Sequence, residues 1–274
     1  MPELPEVETI VRDLRPELTG RQIIKATLSH DDVLRDVTRQ RLVRSLAGAR
    51  IEDVKRRAKH AVFELDRGRL VIQPGMSGSF LIHDQDLTAE ESKYAVLRAT
   101  LDDGRILVYR DVRRLGTILL LNDGAWADYD AALGPEPLDA SLTPAKFAAR
   151  LGRSRAAIKK VLMDQRMVVG VGNIYANEAL FAARIDPSRP ATKVKPEEYR
   201  ELLKHVRRIL KAAITSKGTT LRDYRTGTGE RGAFQFELLV YDRAGEPCRV
   251  CGTRISTTHE IDARSTFFCH RCQR

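Results

Sequence analysis

The sequence predicts an α+β protein, in which an antiparallel β-sandwich with flanking helices precedes a helical region and a cysteine-rich ribbon. Three observations support this fold class. Short apolar stretches separated by turn signals fill the first half of the chain, helical periodicity follows, and all four cysteines lie near the C-terminus. Strands that follow one another without intervening helices favour antiparallel pairing.

The first element is an amphipathic helix over residues 5–18. Its apolar side chains recur at helical spacing, with Pro5 in the first turn and Gly20 just beyond the end. The apolar stripe consists of Val7, Ile10, Val11, Leu14 and Leu18.

Short strands follow from about residue 22, where the apolar period shortens. Turn signals such as Asp66-Arg67-Gly68 separate neighbouring strands. One short helix is expected over Asp36–Ala47. The strands are predicted at Gln22–Ser29, Ala61–Leu65, Arg69–Ile72, Tyr94–Leu101, Arg105–Tyr109 and Gly116–Leu121.

A linker is predicted at residues 133–144, which contain three prolines and no apolar periodicity. We therefore expect a sandwich domain at 1–132, a helical domain at 145–234 and a ribbon at 235–274. A glycine-rich loop occupies residues 217–232 of the helical domain. The second half is predicted to contain helices at Pro144–Leu151, Ser154–Asp164, Ile174–Ala183 and Pro196–Ser216, and a strand at Phe234–Tyr241.

The charge balance points to a polyanionic partner. The chain has 47 Lys and Arg against 37 Asp and Glu, a formal net charge of +10. No apolar run approaches the roughly 20 residues that a membrane span needs. The acidic start of the chain also differs from the basic start of a signal peptide. We therefore expect a cytoplasmic protein without membrane contact.

The cysteines have the spacing C-x2-C-x17-C-x2-C, which is typical of a four-thiolate zinc site. The alternatives are two disulfides or buried free cysteines, and a cytosolic location disfavours the disulfides. Four thiolates leave no open coordination position, so the expected metal is one structural zinc ion per chain. Its ligands would be Cys248, Cys251, Cys269 and Cys272.

The first residues carry a candidate reaction centre. If Met1 is removed, Pro2 carries a secondary amine, which can attack an aldehyde-like carbon and form a cationic iminium. The positive end of a helix disfavours the protonated amine, and Glu3 is a candidate general acid and base. Glu6 lies on the same helical face as Glu3. The alternative is that these acids are only favourable charges in a first helical turn.

Several motifs follow one another along the chain: Met1–Thr9, Arg56–Lys59, Gly75–Gly78, Tyr109–Arg114, Leu133–Leu138, Val169–Tyr175 and the cysteine ribbon. With them the whole sequence resembles the bacterial formamidopyrimidine-DNA glycosylases, also called 8-oxoguanine DNA glycosylases. A related family, the endonuclease VIII type, cleaves oxidised pyrimidines and usually opens Met-Pro-Glu-Gly-Pro-Glu. Leu4 favours the purine-repair branch.

The resemblance implies a reaction for these residues. Pro2 would attack C1′ of the damaged nucleotide, displace the base and form a Schiff base, after which β- and δ-elimination release the phosphates. Glu3 would donate the proton that helps to open the sugar. Lys59 would lie near the scissile phosphates and stabilise charge on the leaving groups. The alternative for Lys59 is a solvated charge within the basic run 55–60.

The resemblance also implies that the damaged nucleotide is extruded from the duplex and the gap filled. Met76, Arg113 and Leu115 match the residues that fill this gap, although the third is often Phe in relatives. The alternatives are a core methionine for Met76 and a phosphate contact for Arg113. The setting of Met76 between glycines argues against a core strand.

Further DNA contacts are implied along the chain. Residues Val169–Tyr175 would form the turn of a helix-two-turn-helix motif, with Asn173 as helix N-cap on a backbone phosphate; the alternative is an ordinary turn. Arg264, between the two cysteine pairs, would contact a phosphate or else be an exposed turn residue. Gln73 stands where relatives often have a phosphate-binding histidine, so a weaker contact is expected.

The glycine-rich loop 217–232 would fold over the flipped base, with Thr219, Arg222 and Tyr224 among its members; the alternative is a merely mobile loop. Glu6 is included among the DNA-contacting residues. The partner implied is damaged double-stranded DNA, bound by a monomer at the bacterial nucleoid without a catalytic metal or organic cofactor. Alternatives are the sister activity on oxidised pyrimidines and a non-catalytic zinc-ribbon binder, and intact Pro2, Glu3 and Lys59 argue against the binder.

Overall fold

The computed structural model describes residues 1–220 and 224–274, which form two compact units. The first unit contains Met1–Ala131 and Ser216–Ala233, and the second contains Ala132–Thr215 and Phe234–Arg274. The glycine-rich loop therefore packs with the first unit, whereas the sequence assigned it to the helical domain. The predicted domain boundaries otherwise stay a prediction. In the described part of the chain, no helix is both long enough and apolar enough to cross a membrane.

The first unit is a pair of antiparallel sheets with four helices. Its helices are α1 (Leu4–Leu18), α2 (Arg39–Leu46), α3 (Ala89–Lys93) and α4 (Asp123–Ala131). Its strands are β1 (Ile23–Leu28), β2 (Ile51–Arg57), β3 (His60–Leu65), β4 (Gly68–Gln73), β5 (Gly78–His83), β6 (Ala95–Leu101), β7 (Ile106–Asp111) and β8 (Thr117–Leu121).

The two sheets have four strands each, in the orders β1-β6-β7-β5 and β2-β3-β4-β8. Apolar side chains from both sheets and from α1 form one core. Phe80 lies at its centre, with ring centroids 5.8 Å from Phe63 and 4.9 Å from Tyr109. The predicted antiparallel sandwich is thereby confirmed, and the core fixes where the loops at its edge begin and end.

Two strands and two helices of this unit were missed by the sequence prediction. Strand β2 buries only Ile51 and Val54 and ends in a run of basic residues, so its alternation is weak. Strand β5 follows an irregular segment, and its sequence also lacks a clear alternation of apolar and polar residues. Helix α2 begins later than the predicted Asp36, because the Thr38 side chain caps it by accepting a hydrogen bond from the Arg41 amide at 3.3 Å.

The second unit contains α5 (Pro144–Leu151), α6 (Ile158–Leu162), α7 (Asn173–Ala182), α8 (Pro196–Thr215), β9 (Ser256–Thr258) and β10 (Thr266–Phe268). Helices α5 and α7 both pack on α8. The helix predicted over Ser154–Asp164 is shorter than expected. Ala157 forms a β-bridge with Pro190, which keeps the chain extended until the residue before α6.

The strand predicted at Phe234–Tyr241 is wrong. Phe234–Glu237 form a 3₁₀ helix instead. The amides of the next residues, Leu239, Val240 and Tyr241, donate to the buried carboxylate of Glu178 in α7 at 2.8–3.1 Å. The alternating apolar residues of this segment resemble a strand. Its amides, however, donate to the Glu178 carboxylate, which is distant in sequence, and not to the carbonyl oxygens of a neighbouring strand.

Removing this carboxylate should destabilise the second unit. Glu178→Ala leaves one buried and two partly buried amides without their acceptor, so we expect the free energy of unfolding in urea to fall by about 3 kcal/mol. The control is Glu201→Ala on α8, an exposed acid, for which a change within about 0.5 kcal/mol is expected. Equal losses in the two variants would contradict the role of Glu178.

Candidate functional site

The start of α1 buries two carboxylates next to Pro2. Glu3 is the N-cap residue and Glu6 completes a capping box, its Oε2 accepting the Glu3 amide at 2.9 Å. Pro2, Glu3 and Glu6 are all buried. Acids that only complement a helix dipole can stay exposed to solvent in the first turn. Because burying a carboxylate is costly, the burial of Glu3 and Glu6 indicates a role beyond that one.

Charges from distant parts of the sequence act on the α-amine at this position. Burial lowers the pKa of the Met1 α-amine, and the positive charges of Lys59 and Arg113 lower it further. Glu3 and Glu6 act in the opposite direction. The fold therefore brings four of the predicted site residues around the amine that precedes Pro2.

Lys59 occupies the tight turn between β2 and β3, where Arg57 pairs with His60. Its neighbour Ala58 has a left-handed backbone, with φ of 55°. The Arg56 guanidinium donates to the Ala58 carbonyl at 3.0 Å and to Glu8 of α1 at 2.8 Å. The turn that carries Lys59 is thus tied directly to α1.

His60 anchors the other side of this turn, a role that the sequence did not reveal. Its Nδ1 lies 3.1 Å from the Arg57 carbonyl oxygen and its Nε2 lies 2.9 Å from the Tyr129 hydroxyl of α4. Burial lowers the pKa of His60 to about 4, so the ring is neutral at physiological pH.

Gln73 also lies at this corner. Its Nε2 is 3.1 Å from Met1 Sδ, and its side chain is hydrogen-bonded with His60. The amide therefore faces the N-terminus in the structure, and its phosphate contact stays a prediction.

Met76, Arg113 and Leu115 lie on two loops at the edge of the sandwich. Met76 is 46% exposed and Leu115 is 52% exposed. The alternative of a core methionine is therefore wrong, since a core side chain would be buried. The side chains are exposed on neighbouring loops, and their role as wedges between bases stays a prediction.

A buried aspartate that the sequence did not single out joins these two loops. Asp111 accepts hydrogen bonds from the Ser77 hydroxyl at 2.7 Å and from the Gly116 amide at 2.8 Å, and its Oδ2 lies 3.1 Å from the Tyr109 hydroxyl. Ser77 Oγ in turn accepts the Arg113 amide at 2.9 Å. The sequence could have indicated Asp111 by its position, since it is an acid at the end of the apolar strand β7, shortly before the basic pair Arg113-Arg114.

Two glycines in these loops lie so close to neighbouring atoms that a side chain would not fit at either position. A Cβ atom on Gly75 would overlap the Asp111 carboxylate, and one on Gly116 would overlap the Tyr109 hydroxyl. Both positions require glycine for space rather than for an unusual backbone angle.

Two of the predicted loop residues pack on α1. The Thr219 amide donates to Glu6 Oε1 at 2.7 Å. Tyr224 is buried, with its hydroxyl 3.2 Å from the carbonyl oxygens of Glu6 and Lys217. Arg222 lies outside the described residues. Contacts of the three with a base stay a prediction.

In the second unit, the prediction that Asn173 caps α7 is wrong, because Gly172 is the N-cap and Asn173 the first helical residue. The Asn173 side chain donates instead to the Ser265 carbonyl at 3.1 Å. This contact brings Asn173 beside Arg264, which is exposed in the turn between β9 and β10. The fold thus places both predicted phosphate-binding residues on one surface of this unit.

Two further side chains hold this turn against the helices. Lys159 of α6 is fully buried, with its Nζ 2.7 Å from Thr266 Oγ1. Asn177 of α7 accepts the Phe267 amide at 2.9 Å. Arg264 is therefore carried by a turn whose base is fixed.

The segment before α7 is organised by Gln165. Its Oε1 accepts the Gly170 amide at 2.8 Å, and its Nε2 donates to the Val171 carbonyl at 3.0 Å. Gly170 has a φ of 83°, which a residue with a side chain rarely adopts. This turn leads into the N-terminus of α7.

The four cysteines converge as predicted. All are free thiols, and their Sγ atoms lie within 4.8 Å of one another. Zinc–sulfur bonds of about 2.3 Å in a tetrahedron place the sulfurs about 3.8 Å apart. The observed separations, such as 3.5 Å for Cys251 and Cys269 and 4.0 Å for Cys248 and Cys272, fit this geometry. The residues can hold one structural zinc ion.

The buried His60 should make stability depend on pH. The pKa of histidine is about 6.5 in the unfolded chain and about 4 for folded His60. The free energy of unfolding is therefore highest above pH 6.5, where His60 is neutral in both states. It falls as the pH drops from 6.5 towards 4, because the unfolded chain binds the proton more readily than the folded protein does. The loss should reach about 2 kcal/mol at pH 5. His60→Gln should flatten the pH dependence of the free energy of unfolding by this amount, and exposed His259→Gln should not. Parallel pH profiles for both variants would contradict this assignment.

Three family models match the chain. Residues 1–118 match the formamidopyrimidine-DNA glycosylase N-terminal domain, residues 133–225 match the formamidopyrimidine-DNA glycosylase H2TH domain, and residues 245–274 match the zinc finger found in FPG and IleRS. The matches follow the order of the sandwich, the helices and the cysteine ribbon.

Similar proteins cover the whole chain. The formamidopyrimidine-DNA glycosylase of Chloroflexus aurantiacus is 42% identical over 274 residues, covering 100% of this chain and 98% of the relative. That of Stutzerimonas stutzeri is 44% identical over 277 residues, with 100% of both chains covered.

Solved structures agree with these similarities. The MutM (Fpg) protein of Thermus thermophilus has a TM-score of 0.87 at 36% identity, covering 99% of this chain and 98% of its own. Lactococcus lactis Fpg, solved with abasic-site DNA, has a TM-score of 0.91 at 32% identity, covering 99% of each chain. A point mutant of the same L. lactis protein was solved with Fapy-dG containing DNA, with a TM-score of 0.92 at 33% identity and 100% of each chain covered.

Proposed function

The chain belongs to the formamidopyrimidine-DNA glycosylase family, and on this basis we propose that it is a base-excision-repair glycosylase that removes oxidised purines from damaged duplex DNA. The observation that carries the proposal is the convergence of the charges of Glu3, Glu6, Lys59 and Arg113 on the α-amine just before α1, whose pKa is lowered. Acids and bases placed around an amine of lowered pKa are what Schiff-base chemistry needs.

The reaction begins at the nitrogen of Pro2 once Met1 has been removed. The lone pair of this nitrogen attacks C1′ of the damaged nucleotide, and the bond to the base breaks. Its electron pair leaves with the base, which takes up the proton that the Pro2 nitrogen loses. Glu3 donates a proton that helps to open the sugar ring, which leaves a cationic iminium between Pro2 and C1′. The fields of Lys59 and Arg113 that lower the amine pKa at this position also favour the unprotonated nucleophile.

Strand cleavage follows from the iminium, which withdraws electrons from C2′. Loss of a C2′ proton expels the 3′ phosphate, and a second elimination expels the 5′ phosphate; water then hydrolyses the Schiff base and frees Pro2. Lys59, held on its turn by Arg56 and His60, is placed to stabilise negative charge on a departing phosphate.

The duplex is held and opened by residues away from the reaction centre. Met76, Arg113 and Leu115 fill the gap left by the extruded nucleotide, and their loops share Asp111 as a common anchor. Asn173 and Arg264 bind backbone phosphates. The zinc ion is structural and fixes the turn that carries Arg264. We further propose that the protein acts as a monomer at the bacterial nucleoid.

The covalent intermediate provides the first test. Borohydride reduction during reaction with a duplex containing 8-oxoguanine should trap a protein–DNA adduct on a denaturing gel. Protein that keeps Met1 should give no adduct, because the Pro2 nitrogen is then an amide, and Pro2→Gly should give much less. Pro16→Ala, in the same helix, is the control and should trap normally.

The pattern of adducts decides between the activities. Trapping with thymine glycol but not with 8-oxoguanine would move the assignment to the sister activity on oxidised pyrimidines. Absence of an adduct with any damaged duplex would leave a DNA-binding protein, and full activity with Met1 retained would exclude the mechanism. Mass measurement of the intact N-terminus establishes which form is present.

The zinc site should be required for DNA binding. Chelation, or Cys251→Ser, should disorder the turn between β9 and β10 and raise the Kd for an abasic-site duplex about tenfold. Arg264→Ala should raise the Kd by a similar factor. Arg254→Ala, an exposed arginine of the same ribbon, is the control. Unchanged affinity after zinc removal, measured by fluorescence anisotropy, would show that the ribbon does not contribute to binding.

A further inference from the structure

Two carboxylates on one face of α1 hold the segment 216–233. Glu6 and Asp13 are seven residues apart, two helical turns, so their side chains project in nearly the same direction. Glu6 Oε1 accepts the Thr219 amide at 2.7 Å, and Asp13 Oδ2 accepts the Gly227 amide at 2.9 Å. We call residues 216–220 and 224–233, which include both contacts, the docked segment.

The docked segment is bonded within itself. The Gly232 amide donates to Thr220 Oγ1 at 2.9 Å, whose hydroxyl is 3.2 Å from the Tyr224 carbonyl oxygen. Lys217 and Glu230 form an ion pair across the segment. The Glu230 amide donates to Thr226 Oγ1 at 3.1 Å, so contacts among the described residues link the part of the segment beside Gly227 to the part beside Thr219.

The fit against α1 leaves no spare room. A Cβ atom on Gly227 would lie 2.7 Å from Asp13 Cβ, and one on Gly218 would lie 3.0 Å from Glu6 Oε1. Backbone approaches of this kind occur where a segment is held in one position on its support.

Asp13 takes no part in the chemistry proposed above, yet it is partly withdrawn from solvent. Burial raises its pKa, while the amides of Gly227 and Thr228 and the charge of Lys217 oppose the rise; Glu230 adds to it. The protein thus holds an acid against two backbone amides at some cost in solvation. A role in docking explains why the acid is there.

Glu6 connects the docked segment to the reaction centre. Its Oε1 holds Thr219 and its Oε2 holds the Glu3 amide, directly after Pro2. We propose that Asp13 is a positioning residue, which fixes the docked segment on α1 and, through Thr219 and Glu6, the orientation of Glu3. The effect on catalysis rests on the function proposed above, whereas the docking itself does not.

The two half-reactions should respond differently to loss of Asp13. Excision of a base needs Glu3 oriented for the proton donation that opens the sugar ring. At a preformed abasic site the sugar carries an aldehyde, so attack by Pro2 needs less of this alignment. Asp13→Ala should therefore lower kcat for excision of 8-oxoguanine about tenfold with KM little changed, and lower elimination at an abasic site by no more than about twofold.

Matched variants make the assignment specific. Asp13→Asn keeps an acceptor oxygen and should recover excision to within about threefold of the wild type. Gly227→Ala should reproduce the loss through overlap with Asp13, and the double variant with Asp13→Ala should be no worse than either alone. Glu17→Ala removes an exposed acid from the same helix and should leave both half-reactions unchanged.

Trypsin cleavage tests the docking without any assumption about activity. Asp13→Ala should speed cleavage after Arg225 and Arg231 while the thermal midpoint of the protein stays unchanged; Glu17→Ala should cleave like the wild type. Unchanged cleavage in Asp13→Ala would overturn the docking role. Equal losses of excision and abasic-site elimination, or wild-type excision, would overturn the positioning role. Inactivity of the wild type on every damaged duplex would instead refute the proposed function and leave the docking result standing.

Discussion

The proposed reaction centre depends on the hydrogen bonds of the buried Glu6 carboxylate. A carboxyl group withdrawn from solvent is stable only when its oxygens are hydrogen-bonded. One oxygen accepts the amide of Glu3 and the other accepts the amide of Thr219. The first bond starts α1 at the residue after Pro2, and the second requires a segment more than two hundred residues later to return to the same helix. The start of the chain and the glycine-rich loop are thus parts of one arrangement.

A similar arrangement supports two other segments that carry candidate functional side chains. Asp111 holds the loops of Met76 and Arg113, and Asn177 holds the turn of Arg264. Asp111, at the end of a strand, accepts the Gly116 amide in the loop, and Asn177, on a helix, accepts the Phe267 amide in the strand that follows the turn. Buried donors must find acceptors, so such contacts give a loop one conformation without extending the regular structure into it. Side chains proposed to contact DNA can then stay exposed on a rigid support.

Much of the architecture was predictable because local patterns of apolar residues and turn signals specify it. The helical stripe of α1, the strands separated by turn signals and the long helix α8 all appear in the apolar periodicity. Errors arose where distant residues decide local structure. The segment 234–241 looks like a strand, but Glu178 binds its amides; Asn173 looks like an N-cap, but its side chain turns to Ser265. Strand β2 was missed because only its pairing with β3, and not its own charged sequence, makes it a strand.

The sequence by itself determined the fold class, the metal-binding cysteines and the candidate residues of the proposed reaction centre, because periodicity, spacing and motif are all properties of contiguous chain. The tertiary structure alone decided which of these residues meet. The sequence contains no distance between residue 6 and residue 219, or between residue 13 and residue 227. It likewise does not show that His60 is neutral, since a pKa depends on burial and on neighbours that only folding supplies.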